Sequence, residues 1–304
     1  MTPINQDTQE KIRMNLNGLF VATLTPFNND ESINFDDMKS LTEFNCSTDV
    51  DGLYVGGSTA EAFLLSTDER IEALKVTAKD ASKDKKLIAH IGDISTKKSE
   101  TLARSIADTR YDAISAVTPF YYPVGFNELK KHYQDIIQAS GKPMVVYNFP
   151  AFAGVNLSGD QIEELINIEG VVALKQTSAD LYQMEQITRR NPETTVYNGF
   201  DEILVSGLAV GAKGGIGSTY NVQANRIADI YKAMQNNDVS KATELQREAN
   251  IVIDTLVEGG VIPSLKYVLQ AKGIIKNANV RRPLNSVSKE SMSKLDQLIE
   301  KGLC

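Results

Sequence analysis

A chain of 304 residues is long enough for one large α/β barrel or for two ordinary domains. Hydrophobic content of 42% and charged content of 23% are those of a soluble globular protein, and a net charge of −7 offers no basic face to a nucleic acid. No run of about 18 apolar residues is present to span a bilayer, the polar stretch 1–17 lacks the apolar centre of a signal peptide, and Cys46 and Cys304 give no disulfide framework, so the expected location is the cytoplasm. His90 and His132 lie far apart, with no cysteine or second histidine at ligand spacing, so no histidine-rich metal centre is expected.

In chain order, residues 1–17 read as a loose polar leader. GLFVATLT (18–25) reads as a strand closed by Pro26, and 35–46 has helical spacing. GLYVGG (52–57) is a second strand, followed by Ser58-Thr59-Ala60-Glu61 and a helix over 67–82 with Thr67 as its N-cap. KLIAHIG (86–92) is a strand and 95–109 a helix; DAISAVT (112–118) is a strand and 127–139 a helix. PMVVYN (143–148) is a strand, and a helix capped by Ser158 runs to 168. VVALKQT (171–177) is a strand with a helix over 181–190; TTVYNG (194–199) is a strand with a helix over 201–210. GGIGST (214–219) is the last strand, and everything beyond Asn225 reads as helix, at 227–234, 239–258, 263–271 and 288–301.

Strict alternation of strand and helix predicts a parallel sheet, and eight units of 20–35 residues predict a closed (β/α)8 TIM barrel. The expected organisation is a leader (1–17), a barrel (18–236) and a C-terminal helical extension packed on it (237–304). An open doubly wound sheet is the competing architecture, but it usually has fewer strands, and its G-x-G-x-x-G fingerprint is missing after the first strand.

In a barrel the active site lies at the carboxyl ends of the strands. The groups placed there are Ser58-Thr59, Tyr121-Tyr122, Tyr147, Lys175 with Thr177, Asp201-Glu202 and Ser218. Side chains alternate along a strand, so Lys175 shares a face with Ala173, as Tyr147 does with Val145. If Ala173 points inward, Lys175 does too. A buried lysine loses hydration, its pKa falls, and its neutral amine can attack a carbonyl to form a Schiff base. The plain alternatives are a lysine with its ammonium in water, a core tyrosine, acids that cap a helix, and hydroxyls that cap a turn.

An imine between Lys175 and a ketone makes an electron sink, so a carbon–carbon bond next to it can break or form without a metal. Tyr147 is the candidate proton carrier. With no arginine at these strand ends, a substrate carboxylate would rest on hydroxyls and backbone N–H groups around Ser58-Thr59, which suits a small keto acid such as pyruvate. The adjacent acids Asp201-Glu202 would repel phosphate but accept hydrogen bonds from a polyhydroxy tail.

Six ordered segments, GLYVGGSTAEAF (52–63), SAVTPFYYP (115–123), PMVVYNFPAFAGV (143–155), ALKQTSADLYQMEQI (173–187), VYNGFDEI (196–203) and GGIGSTYNV (214–222), resemble the class I pyruvate-dependent aldolases of the dihydrodipicolinate synthase and N-acetylneuraminate lyase superfamily, most of all its N-acetylneuraminate lyase branch. The resemblance implies reversible cleavage of N-acetylneuraminate to N-acetylmannosamine and pyruvate, with no cofactor beyond the imine. It implies that Lys175 forms the imine, that Tyr147 relays protons with Ser58, that Ser58 and Thr59 hold the carboxylate, and that Thr177 lines the site. Gly199, Asp201, Glu202 and Ser218 would contact the sugar chain, and Tyr121 would join a tyrosine network shared across a subunit contact in a homotetramer.

Two positions depart from the family pattern. Ala60 replaces the second glycine of G-x-x-G-E, a change that costs roughly 1–2 kcal/mol if the position needs a positive φ and nothing otherwise. Phe200 stands where tyrosine is common, which removes one hydroxyl from the sugar side. Three rivals share the scaffold. A dihydrodipicolinate synthase would place an arginine shortly after Tyr147, where this chain reads Asn148-Phe149-Pro150-Ala151-Phe152-Ala153-Gly154. The others are a 2-keto-3-deoxy sugar acid aldolase and a non-catalytic sugar-acid-binding barrel, which would have no need of an imine-forming lysine.

Overall fold

A computed structural model describes residues 15–304 of the chain. Eight parallel strands close on themselves in sequence order, β1 to β8 and back to β1. They are β1 (Gly18–Ala22), β2 (Gly52–Val55), β3 (Lys86–His90), β4 (Ala113–Val117), β5 (Met144–Asn148), β6 (Val171–Gln176), β7 (Thr195–Asn198) and β8 (Gly214–Gly217). A helix follows each: α1 (Phe35–Cys46), α2 (Thr67–Asp80), α3 (Thr96–Ser105), α4 (Phe126–Ser140), α5 (Gly159–Ile166), α6 (Leu181–Arg190), α7 (Leu204–Ala209) and α8 (Tyr220–Gln235). The expected TIM barrel is therefore the fold.

The strands are buried on both faces, which is why they read as nearly continuous apolar runs. Alternation sorts them cleanly. Leu19, Val21, Leu53, Val55, Val146 and Leu174 pack outward under the helices. Phe20, Tyr54, Ile88, Val145, Tyr147, Ala173 and Tyr197 fill the barrel interior. Ala173 does point inward, and so Lys175 follows it.

Seven of the strands end one to three residues earlier than expected, while β5 ends at Asn148 as expected. At the carboxyl rim, Thr23–Thr25, Gly56-Gly57, Thr118, Thr177 and Ser218-Thr219 lie beyond the ladder, where the backbone can turn out of the sheet. Helix ends differ for local reasons. The cap of α2 is Ser66, not Thr67: its hydroxyl accepts from the Glu69 N–H at 3.2 Å while the Glu69 carboxylate accepts from the Ser66 N–H at 2.7 Å. Ser158 caps α5 as expected, with Gln161 completing the reciprocal pair.

The expected leader falls mostly outside the described residues, but its end is not loose. Leu16 is 1% exposed and plugs the amino-terminal mouth of the barrel, where its carbonyl accepts the Tyr197 hydroxyl. Thr195 donates to the Asn17 side chain at 2.8 Å. A single leucine among polar residues carries no periodicity by which its burial could be foreseen.

Three further helices follow the barrel, α9 (Val239–Glu258), α10 (Val261–Ala271) and α11 (Lys289–Glu300). Leu256, Leu265, Leu269 and Leu295 bury a common core with Leu24, Leu41 of α1 and Val222 of α8. Among the described residues, no helix is long and apolar enough to cross a membrane.

Candidate active site

A cavity of about 760 Å³ opens at the carboxyl rim. Every site residue expected from the sequence except Tyr121 and Tyr122 lines it: Ser58, Thr59, Tyr147, Lys175, Thr177, Gly199, Asp201, Glu202 and Ser218. Among the described residues, Lys175 is its only cationic side chain, and no arginine reaches it.

Lys175 is 6% exposed, so the alternative of an ammonium held in water does not apply. Its Nζ lies 4.2 Å from the centre of the Tyr147 ring and 4.6 Å from that of Tyr54, and Tyr147 stands beside it in the β5–β6 register. Burial pulls the amine down from 10.5 to about 7, against the opposing pull of the Asp201 charge. A substantial fraction is thus neutral nucleophile near neutral pH.

Tyr147 is 2% exposed, stacked on Phe149 at 5.9 Å and met edge-on by Tyr54 at 6.2 Å. Burial pushes its phenol up to about 12, while the Ser58 and Thr177 hydroxyls pull it back. It is therefore a proton-bearing group at neutral pH, next to a hydroxyl to which it can pass a proton. Thr177 comes close to Gly199: a Cβ on that glycine would sit 1.9 Å from the threonine Oγ1, so only glycine fits there.

Asp201 caps no helix with its side chain: its Oδ2 accepts from the Thr219 N–H at 2.8 Å and hydroxyl at 2.6 Å, just before α8, and the residue lines the cavity. Burial raises its carboxyl to about 6, with the Thr219 bonds opposing. Glu202 is exposed at the rim. The extension braces this corner: Gln246 of α9 donates to the Asp201 carbonyl at 3.0 Å, and Asn250 to that of Glu202 at 3.1 Å.

Tyr121, expected at a contact between subunits, lies on the surface of the single chain. It is 83% exposed with φ +76°, edge-on to Tyr122 at 5.0 Å, because the loop after β4 turns it onto the outer surface. Within one chain it is not part of the site. Ala60 proves harmless: its φ is not positive, and the left-handed residue is its neighbour Glu61, at φ +56°.

Sequence reasoning missed two parts of the site. Packed against Lys175 and Tyr147 are Tyr54, whose hydroxyl donates to Ser115 at 3.0 Å, and His90, held neutral by burial between the Gly56 carbonyl and the Val117 N–H. Tyr54 was findable, since it alternates with the outward-facing Leu53 and Val55. One wall comes from the extension, through Val257, Ile262, Asn285 and Ser288 among others, and no local pattern marks these. Phe200 lines the cavity, edge-on to Phe149 at 6.0 Å. Phe200→Tyr is expected to change the KM for a polyhydroxy substrate about two- to tenfold, one hydrogen bond's worth, with keto-acid binding unchanged. Steady-state kinetics on both halves of the reaction check this.

Comparison with known proteins places this geometry. The sequence pattern of the dihydrodipicolinate synthetase family matches residues 15–302. The N-acetylneuraminate lyase of Citrobacter koseri is 48% identical over 286 residues, 94% of this chain and 96% of that protein. A crystal structure of CdNal from Clostridium difficile in complex with mannosamine superposes with a TM-score of 0.91 at 34% identity, covering 95% of this chain and 99% of that one. The N-acetylneuraminate lyase from Fusobacterium nucleatum complexed with pyruvate gives 0.88 at 32% identity, covering 94% and 97%. The chain is a lyase and belongs to the dihydrodipicolinate synthetase family.

Proposed function

We propose that the chain is a class I aldolase that reversibly cleaves N-acetylneuraminate to N-acetylmannosamine and pyruvate, with Lys175 as imine former and Tyr147 as proton relay. The observation that carries this reading is Lys175 itself: a buried amine held near 7 between two tyrosine rings, the one cation among the described residues of a cavity that also carries hydroxyls and three acids. The pyruvate and mannosamine carried by the two relatives above match the two halves of such a reaction.

In the cleavage direction, the neutral Lys175 amine adds to the C2 ketone of the open-chain sugar acid, and water leaves to give the iminium. The C4 hydroxyl loses its proton to the Tyr147 phenol oxygen as the phenol passes its own to Ser58 and Ser58 passes its own to the substrate carboxylate. The C3–C4 bond then breaks, its electrons flow into the iminium as an enamine, and the sugar departs as an aldehyde. The returned proton adds to C3, and water releases pyruvate and the free lysine. Ser58 and Thr59 hold the carboxylate, with Thr177 beside them. Gly199, Asp201, Glu202 and Ser218 receive the hydroxyl chain, whose donors suit two carboxylates. The missing arginine disfavours a second substrate carboxylate, and with it a dihydrodipicolinate synthase. A homotetramer that buries Tyr121 in a contact between copies is part of this reading.

The test is pyruvate release from N-acetylneuraminate with chelator present, followed by borohydride reduction with pyruvate and mapping of the modified residue. Release together with a label on Lys175 supports the proposal. A label without release keeps the aldolase and changes the sugar, and no label favours a binding protein. The rate of pyruvate trapping by the free enzyme is expected to rise with pH about a midpoint near 7, because only the deprotonated amine attacks. A profile flat from pH 5.5 to 8.5, or one rising only near 10, would contradict the assigned role of the buried amine.

A further inference from the structure

Glu61 follows directly on the short helical turn Ser58–Ala60, in the left-handed conformation that ends it. Its N–H donates to the Ser58 carbonyl at 3.0 Å, so any shift of Glu61 moves the Ser58 peptide. Both of its carboxylate oxygens are taken by the C-terminal extension. Oε1 accepts from Lys266 of α10 at 2.5 Å, and Oε2 accepts from the Arg281 N–H at 2.7 Å. Glu61 is 3% exposed and Lys266 is 0% exposed. The Lys266 ammonium also donates to the Asn279 carbonyl at 2.8 Å and lies 4.2 Å from the Phe27 ring centre.

A buried ion pair is a poor source of net stability, because desolvation of both charges offsets their attraction and an apolar pair of similar volume would serve as well. What this pair supplies is direction. Apolar packing tolerates sliding, whereas a carboxylate with both oxygens bonded holds one orientation. That orientation is imposed on the residue closing the turn that carries Ser58 and Thr59.

We propose that Glu61 and Lys266 are positioning residues for the keto-acid end of the substrate, through which the C-terminal extension holds the Ser58–Thr59 turn in its carboxylate-binding geometry. The inference rests on the reading that this turn holds the carboxylate. Neither residue lines the cavity, so neither is a catalytic residue.

The experiment measures borohydride trapping against pyruvate concentration in the full chain, as wild type, Lys266→Met, Glu61→Gln and the double variant. All three variants are expected to need about tenfold or more pyruvate for half-saturation, with the limiting trapping rate within about threefold and the KM for N-acetylmannosamine in the condensing direction within about twofold. The double variant leaves no unpaired charge and is expected to melt close to wild type, so weak pyruvate binding in it reports turn position rather than unfolding. If Lys266→Met does not fold, Glu61→Gln, which keeps an acceptor for the Arg281 N–H, gives the same readout. A double variant that melts and binds pyruvate like wild type overturns the inference, as do parallel losses in limiting rate and in sugar KM. A wild type that traps no pyruvate overturns the functional reading itself, and this inference with it.

Discussion

Lys175→Met is expected to lower kcat/KM for pyruvate release by at least about 10⁴-fold, and at the same time to make the protein harder to melt at pH 6. The first effect follows from losing the imine, since among the described residues no other amine lines the cavity to replace it. The second follows from linkage. The amine is held at about 7 in the folded protein against an ordinary 10.5. Between those values the unfolded chain carries a proton that the folded one does not, so this group's contribution to stability improves as the pH rises through the window and is poorest below 7. The full penalty has an upper limit of about 5 kcal/mol. Methionine removes it but forfeits the contacts of the ammonium with two rings, so a net gain of about 1–3 kcal/mol is expected at pH 6, shrinking toward pH 10. Thermal melts at the two pH values, beside a turnover assay, check both halves. A variant that still turns over, or that melts lower at pH 6, would remove Lys175 from its assigned place.

Tyr147→Phe should lower kcat by about 10²–10³-fold, the usual worth of a positioned proton carrier. The change deletes one oxygen and keeps the ring. The stack on Phe149, the edge contact with Tyr54 and the face turned toward the Lys175 ammonium all remain. The midpoint of the trapping profile should therefore stay near 7 while turnover falls, which separates proton relay from lysine placement. KM for pyruvate should rise no more than about threefold, since the phenol meets the substrate chiefly as the carbon–carbon bond breaks. A shifted midpoint with intact kcat would reverse the assignment and make Tyr147 a support for the lysine.

The residues that carry this chemistry were legible because period-two alternation is local. Ala173 fixed the face of Lys175, and Val145 fixed that of Tyr147. The barrel was legible from the same cause, repeated in eight strand–helix units. What could not be read depends on contacts far apart in sequence. Lys266 sits in Val261–Ala271 among residues of ordinary helical pattern and reads there as a solvated lysine, yet its partner lies 205 positions away. The extension's wall of the cavity was hidden for the same reason. Tyr121 differs again: a subunit contact was expected for it, and in the single chain it stands exposed after β4 at φ +76°, a turn that no residue type announces. The cap of α2 was read one residue late, at Thr67, and the spacing to Glu69 places it at Ser66.

The closed barrel also constrains how the molecule is made. β1 pairs with β8, Gly18 opposite Gly214, so no nascent chain can seal the cylinder until residue 217 has emerged. Until then β1 presents an unpaired edge, the kind of surface on which chains aggregate. The lock between positions 61 and 266 forms later still. At about 5–20 residues per second, synthesis leaves that interval open for roughly ten seconds or more. Lesions that slow the emergence of the last helices should therefore reveal themselves first as lost soluble yield in the cell, before any change in the turnover of the molecules that survive.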